Sequence, residues 1–145
     1  MLKFEATFGI AAGYGHSNVD VTEAEAASVV AAAWRQALEA EFASSNILVG
    51  AVVSAGRVVY PADFGCPDNG EVVATVCGDA NPKFVGGEGQ TSFADFRDAV
   101  IRVAEATKNT LQQERVQLSF SDNCGFVYYE PEDTGGVQRW GRATE

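Results

Sequence analysis

Two stretches of this chain run through the same order of elements with an offset of about 70 residues, and internal repetition of that kind limits the folds available. Each half reads strand, helix, hairpin. In the first, a strand ending at Phe8-Gly9 leads to a helix opened by Thr22. Ile47–Val53, an Ala55-Gly56 turn and Arg57-Val58-Val59-Tyr60-Pro61 follow. In the second, a strand ending at Cys77-Gly78 leads to a helix opened by Ser92. Val116–Phe120, a Cys124-Gly125 turn and Phe126-Val127-Tyr128-Tyr129-Glu130-Pro131 complete it. Identity between the halves is low, so the repeat rests on order, spacing and the two Gly-to-Tyr-to-Pro endings. It predicts a single α+β domain over residues 1–131, built of pseudo-repeats at about 2–61 and 71–131, with 132–145 as a loose tail.

Local patterns support these elements. Leu2, Phe4, Ala6, Phe8 and Ile10 alternate with polar or small residues, the period of a strand with one buried face. Thr22 and Glu25 have capping-box spacing, and Ser92 and Asp95 repeat it. Val30, Trp34, Ala37, Leu38 and Phe42 form one helical stripe, and Phe96, Val100, Val103, Thr107 and Leu111 form the other. Ile47–Val53 reads as a well-buried strand, and Val116, Leu118 and Phe120 alternate strictly with polar residues. The loop 79–91, with Gly86-Gly87-Glu88-Gly89, has the glycine content of a mobile segment.

Packed together, these units predict one antiparallel sheet with both helices on the same face. The tandem strand-helix-hairpin order resembles the gyrase-inhibitory and multidrug-effector-binding family. That resemblance is one of topology over residues 2–131, and it implies a groove between the halves for cationic, apolar small molecules. A ferredoxin-like sheet with extra hairpins is the competing architecture, because it uses the same helices and most of the same strands.

Charge narrows the partners. Twenty Asp and Glu against ten Lys and Arg give a net charge of −10, which repels phosphate backbones and anionic lipid. Direct nucleic-acid binding and membrane association are therefore not expected. The start of the chain alternates and lacks the charged and apolar blocks of a signal peptide, and no apolar run reaches membrane-spanning length. Cys66, Cys77 and Cys124 form no CxxC pair and are expected as free thiols, which places the chain in the cytoplasm.

Motifs for chemistry are absent: there is no P-loop, dinucleotide fingerprint, HExxH, GxSxG or EF-hand loop. His16, the sole histidine, sits in Gly13-Tyr14-Gly15-His16-Ser17-Asn18. As a catalytic residue it would be a general acid or base oriented by Tyr14 or a neighbouring carboxylate. A Cys₃His zinc site from Cys66, Cys77, Cys124 and His16 lacks the short spacing such sites use. Asp63, Asp68, Glu71 and Asp79 are oxygen ligands for a hard cation only if the fold gathers them. No metal and no cofactor are expected.

The aromatic residues offer another reading. Trp34 belongs to a core stripe, but diverging helices would let Trp34, Tyr60, Tyr128 and Tyr129 line a groove whose ring faces attract an organic cation. The leading expectation is thus a non-catalytic module, monomeric or homodimeric, that binds a small cationic or amphipathic molecule. The alternatives are an acidic protein that acts as a decoy for a basic partner, and a small enzyme built on the Gly13–Asn18 loop. The overall profile also looks like that of phage and mobile-gene-cassette products.

Overall fold

The computed structural model describes residues 2–10, 21–122, 125–131 and 137–142, from residue 122 onward by backbone alone. The elements are β1 (Lys3–Gly9), α1 (Glu23–Ser45), β2 (Val52–Val58), β3 (Glu71–Asp79), α2 (Phe93–Thr110), β4 (Gln117–Asp122), β5 (Gly125–Pro131) and β6 (Val137–Arg142). All strand pairs are antiparallel, in the order β2-β3-β1-β4-β5-β6. The fold is α+β with two helices on one face of an antiparallel sheet, the class expected from the sequence.

Within that class, β1–α1–β2 and β3–α2–β4 are two strand-helix-strand units whose strands interleave as 2-3-1-4. This is the ferredoxin-like order, extended by the β5–β6 hairpin. Ala55-Gly56 is not a turn. Strand β2 passes straight through it, pairing Ala55 with Ala74 and Gly56 with Val73. As an edge strand, β2 accommodates a glycine at little cost in packing, and an added Cβ at Gly56 would touch nothing. The hairpin lies later, between β2 and β3. Val137–Arg142, within the stretch expected to be a loose tail, pair with β5.

Both helices start where their hydroxyl caps predict. Thr22 Oγ1 accepts from the Glu25 amide at 3.2 Å and Ser92 Oγ from the Asp95 amide at 3.1 Å. At its far end α1 stops on Asn46, whose left-handed backbone (φ 62°) lets its amide donate back to the Phe42 carbonyl.

The core lies between the helices and one sheet face. Phe4, Ala6 and Phe8 of β1 meet Ala74 and Val76 of β3, Leu118 and Phe120 of β4, and the stripes of both helices. Trp34 joins these layers. Its ring is 2 % exposed, stacks on Phe4 with centroids 5.8 Å apart and meets Phe8 edge-on at 6.2 Å. Its indole N–H donates to the Val49 carbonyl at 3.4 Å, satisfying the one polar atom on the ring. Gly78 makes room for this stack, since a Cβ there would lie 2.5 Å from Cζ of Phe4 and 2.6 Å from the Gly50 carbonyl.

Three local readings change in the structure. Ile47 and Val49 are buried, but the chain becomes a strand only at Val52. Phe42 ends the α1 stripe half in solvent, whereas Glu41 beside it is buried. The reason is α2: Arg102 donates to both carboxylate oxygens of Glu41, at 2.6 and 3.2 Å, and Ser45 bonds the Glu41 carbonyl. Arg102 holds the Glu41 carboxyl below the usual carboxylate range, outweighing the opposing effect of burial. The glycine-rich loop after β3 is pinned by bonds from the Gly86 amide to the Thr91 carbonyl and from the Thr91 amide to the Phe84 carbonyl. Gln90 adds bonds to the Gly87 amide and the Lys83 carbonyl. Among the described residues, no helix is long and apolar enough to cross a membrane.

Two stability outcomes follow from the core and the helix pair. Trp34→Ala removes the ring that joins β1, α1 and the 47–50 segment, and should cost about 3–5 kcal/mol in urea denaturation. Glu41→Gln should cost about 1–2 kcal/mol at neutral pH, where the carboxylate is charged and bound to Arg102. Because the folded-state value is depressed, this contribution is full above the unfolded carboxylate value and disappears as pH falls through the lower, folded one. Denaturation of both proteins across the acid range should show the two midpoints converging.

Candidate functional site

Alternation places Glu71, Val73, Thr75, Cys77 and Asp79 of β3 on the sheet face opposite the buried Ala74 and Val76. Lys3, Glu5 and Thr7 of β1 share that face, and the Thr7 and Thr75 hydroxyls approach to 3.5 Å across the β1–β3 pair. Neither helix packs there. At one end of this face, β2 finishes at Val58 opposite Glu71, and residues 59–70 connect the two strands.

That connection brings two of the chemically capable side chains together. The Tyr60 hydroxyl donates to Glu71 Oε2 at 3.4 Å, longer than the usual 2.7–2.8 Å of a closed O–H···O bond. The Tyr60 amide donates to Cys66 Sγ at 3.4 Å, and the Cys66 thiol donates to the Pro67 carbonyl. Val59 and Phe64 project from the same connection and are about three-quarters exposed, at 77 % and 76 %.

On the helix side of this end, Arg57 Nε donates to Glu23 Oε1 at 2.7 Å and Nη1 donates to the Asn69 carbonyl at 3.2 Å. The Glu23 carboxyl lies below its ordinary value, chiefly through its backbone hydrogen bond at the helix start and then through Arg57. Gly9, which ends β1 opposite Val73, and Thr22, which caps α1, also lie at this end. They flank the 11–20 segment, so His16 and Tyr14 fall outside the described residues.

The four nominated aromatics do not gather on one face of the sheet. Trp34 is enclosed in the core on the helix side of the sheet. The backbone register sets Tyr128 opposite Ser119 and Tyr129 opposite Leu118. Consecutive strand positions belong to opposite faces, so the four residues do not share one groove.

A different groove, of about 570 Å³, opens at the other end of the molecule, lined by Leu38, Glu39, Phe42, Leu48, Asp79 and Phe84. It is apolar with an acidic rim, and contains none of the nominated aromatic residues and only Asp79 of the nominated acids. Glu39 is exposed and pairs with Arg35 along the helix surface at 3.7 Å.

The acids that a hard cation would have needed together are dispersed. Glu71 and Asp79 begin and end the nine-residue β3, about 26 Å apart at ~3.3 Å per residue. Among the described residues, no three of His, Cys, Asp and Glu are grouped to hold a metal ion. Cys66 and Cys77 are free thiols on separate segments, and Cys124 lies outside the described residues. Partial burial, with help from Glu5 and Asp79, raises the Cys77 thiol above its ordinary value.

In the sequence Glu71 stood only among four acids that a cation could use, Arg57 only at the head of a strand run, and nothing singled out Glu23. The Asp68-Asn69-Gly70 turn signal was the available clue, since it returns the chain to the end of β2. Pairing across β2 and β3 was needed to show which residues it brings together.

Comparison with known proteins gives a family. The family model described as SAM lyase matches residues 1–130. No curated protein sequence matches the chain. Among solved structures, a phage SAM lyase in complex with S-methyl-5'-thioadenosine aligns with a TM-score of 0.55 and 16% identity, covering 96% of this chain and 86% of the phage chain. A phage SAM lyase in its apo state aligns with a TM-score of 0.51 and 17% identity over the same shares. At these identities the structural likeness establishes the fold.

These matches overturn two expectations. The resemblance to the gyrase-inhibitory and multidrug-effector-binding family fails, because the matching family is another one and the strand order is ferredoxin-like. The expected non-catalytic binding module fails as well, as does its acidic-decoy alternative, because a lyase family is a family of enzymes. The first rested on a tandem order that the strand pairing does not follow, and the second on the absence of a familiar catalytic motif.

Proposed function

The chain belongs to the SAM lyase family, and from that premise we propose that it cleaves S-adenosylmethionine without water, releasing S-methyl-5'-thioadenosine. The family match over residues 1–130 carries this reading. The bond to break is then the one between sulfur and Cγ of the amino-acid chain. Both electrons go to sulfur, which passes from a sulfonium cation to a neutral thioether.

Cγ needs a replacement bond. The substrate's own α-carboxylate can form it by closing a five-membered lactone, a step with the high effective concentration of an intramolecular reaction and no proton to remove. Elimination would instead need a base able to take a proton from an unactivated Cβ. A carboxylate such as Glu71 is weak for that task. Atoms and charge balance in ring closure: the sulfonium charge is cancelled by the carboxylate electrons, and the α-ammonium remains throughout.

This charge flow limits what the protein should bind. A carboxylate held against the sulfonium would favour the ground state, where sulfur is charged, over the transition state, where that charge is fading. A carboxylate on the α-ammonium has no such penalty. We assign Glu71 to the ammonium, with the Tyr60 hydroxyl orienting its carboxylate; the long 3.4 Å contact can tighten when substrate is present. The Tyr60–Glu71 end suits this better than the 570 Å³ groove. Its polar groups are held by bonds from several segments, whereas the groove's acids stand on open surface.

Incubation with S-adenosylmethionine in ¹⁸O-water, followed by mass spectrometry, tests the reaction. S-methyl-5'-thioadenosine should appear with a four-carbon product whose oxygen on Cγ is unlabelled. Label on that oxygen would make the protein a hydrolase, and no thioadenosine product would remove the reading. Glu71→Gln should raise KM about ten- to a hundredfold with a smaller change in kcat, because the ammonium contact is the same in ground and transition states. Tyr60→Phe should move KM in the same direction by less.

A further inference from the structure

On the reading that substrate binds at Tyr60 and Glu71, we infer that Arg57 is a positioning residue, latching the base of the 59–70 connection to the first turn of α1. Three segments meet at its guanidinium. Nε reaches the Glu23 carboxylate of α1 at 2.7 Å, Nη1 reaches the Asn69 carbonyl at 3.2 Å, and the arginine itself lies one residue before the end of β2. Asn69 is two residues from Glu71, and Arg57 is three from Tyr60. The latch thus holds both ends of the connection at the place where the pair forms.

Gly70 lies between these anchors. Its backbone is left-handed (φ 76°), and a Cβ there would sit 2.9 Å from the Val58 carbonyl oxygen and 3.3 Å from the Arg57 Cβ. The returning chain is therefore pressed against β2, and a shift of Asn69 is passed directly to Glu71. Arg57 pairs with Val72 in the sheet and reaches the helix side, while Glu71 belongs to the opposite face. Arg57 acts through the backbone, and the substrate need not touch it.

The energetic character of the ion pair agrees with positioning. Both side chains are nearly half exposed, 41% for Arg57 and 47% for Glu23, and exposed pairs add little to stability. What a planar guanidinium supplies here is direction, with two donors satisfied by acceptors on two segments. Lysine can reach one acceptor but cannot hold both in that geometry.

The test uses the full chain with S-adenosylmethionine, measuring kcat, KM and the urea midpoint for Arg57→Gln, Arg57→Lys and Glu23→Gln. Arg35→Gln, at the remote surface pair with Glu39, serves as the control for a lost charge. Arg57→Gln should raise KM about tenfold with an unchanged urea midpoint, because loosened geometry weakens productive binding. Arg57→Lys should fall between it and wild type. Glu23→Gln, which leaves Nε a weaker, neutral acceptor, should raise KM by less than Arg57→Gln, whereas Arg35→Gln should match wild type. A KM for Arg57→Gln within about twofold of wild type, or a rise matched by Arg35→Gln, overturns the latch. So does a KM change that tracks a fall in the urea midpoint. If Arg57→Gln fails to fold, Arg57→Lys decides: a wild-type KM overturns the proposal and a raised KM with an intact midpoint supports it. A wild-type protein that leaves S-adenosylmethionine intact overturns the underlying reaction instead, and wild-type kinetics in Glu71→Gln overturn the placement of the site.

Discussion

The stack of Trp34 on Phe4 is the contact on which the rest of the structure depends. Phe4 lies on β1, the strand at the centre of the ferredoxin-like four, paired with β3 on one side and β4 on the other. Trp34 comes from α1 and fixes that helix over the sheet, while its N–H ties down the 47–50 segment leading to β2. Phe96 of α2 approaches the same Phe4 ring at 6.2 Å, so both helices take their position from one residue of one strand. The stack requires a bare backbone at Gly78, which is why the far end of β3 tolerates no side chain at that position.

Covering one sheet face so completely leaves the other to polar chemistry. The open face of β1 and β3 carries Lys3, Glu5, Thr7, Glu71, Thr75, Cys77 and Asp79, and the Tyr60–Glu71 pair stands at its β2–β3 end. The division of labour is geometric. Alternate residues of the same strands build the core and present functional groups, so the rigidity of the helix side is transmitted to the open side through the backbone. Arg57 extends that logic, because its contacts are on the helix side and its effect is on Glu71.

A reaction that consumes a cation makes few demands of the usual kind. In the proposed ring closure sulfur leaves as a neutral thioether and the substrate brings its own nucleophile, so the step balances without a metal, activated serine or histidine dyad. That accounts for a chain whose sequence lacks each familiar catalytic pattern and yet belongs to a lyase family. The acid excess reads differently in this light. Most of the carboxylates are dispersed, and the one assigned to binding is distinguished by its tyrosine partner and its place in the sheet, not by the total charge.

Several features were legible along the chain because their physics is local. A hydroxyl before each helix caps it whatever surrounds it, and the alternation of β1 and the stripes of α1 and α2 declare which faces seek cover. From these the sequence by itself determined an α+β sheet with two helices on one side. Other features depend on partners distant in the chain, and only the tertiary structure decided them. Ala55-Gly56 becomes continuous strand because β3 pairs along its length, and Glu41 is buried because Arg102, 61 residues away, meets it. Tyr60 and Glu71 become a pair because the turn at Gly70 brings β3 back beside β2, whereas Trp34, equally aromatic, is taken by the core. Side-chain identity sets what a residue is able to do, but long-range pairing decides its neighbours, and the chemistry of a site resides in those neighbours.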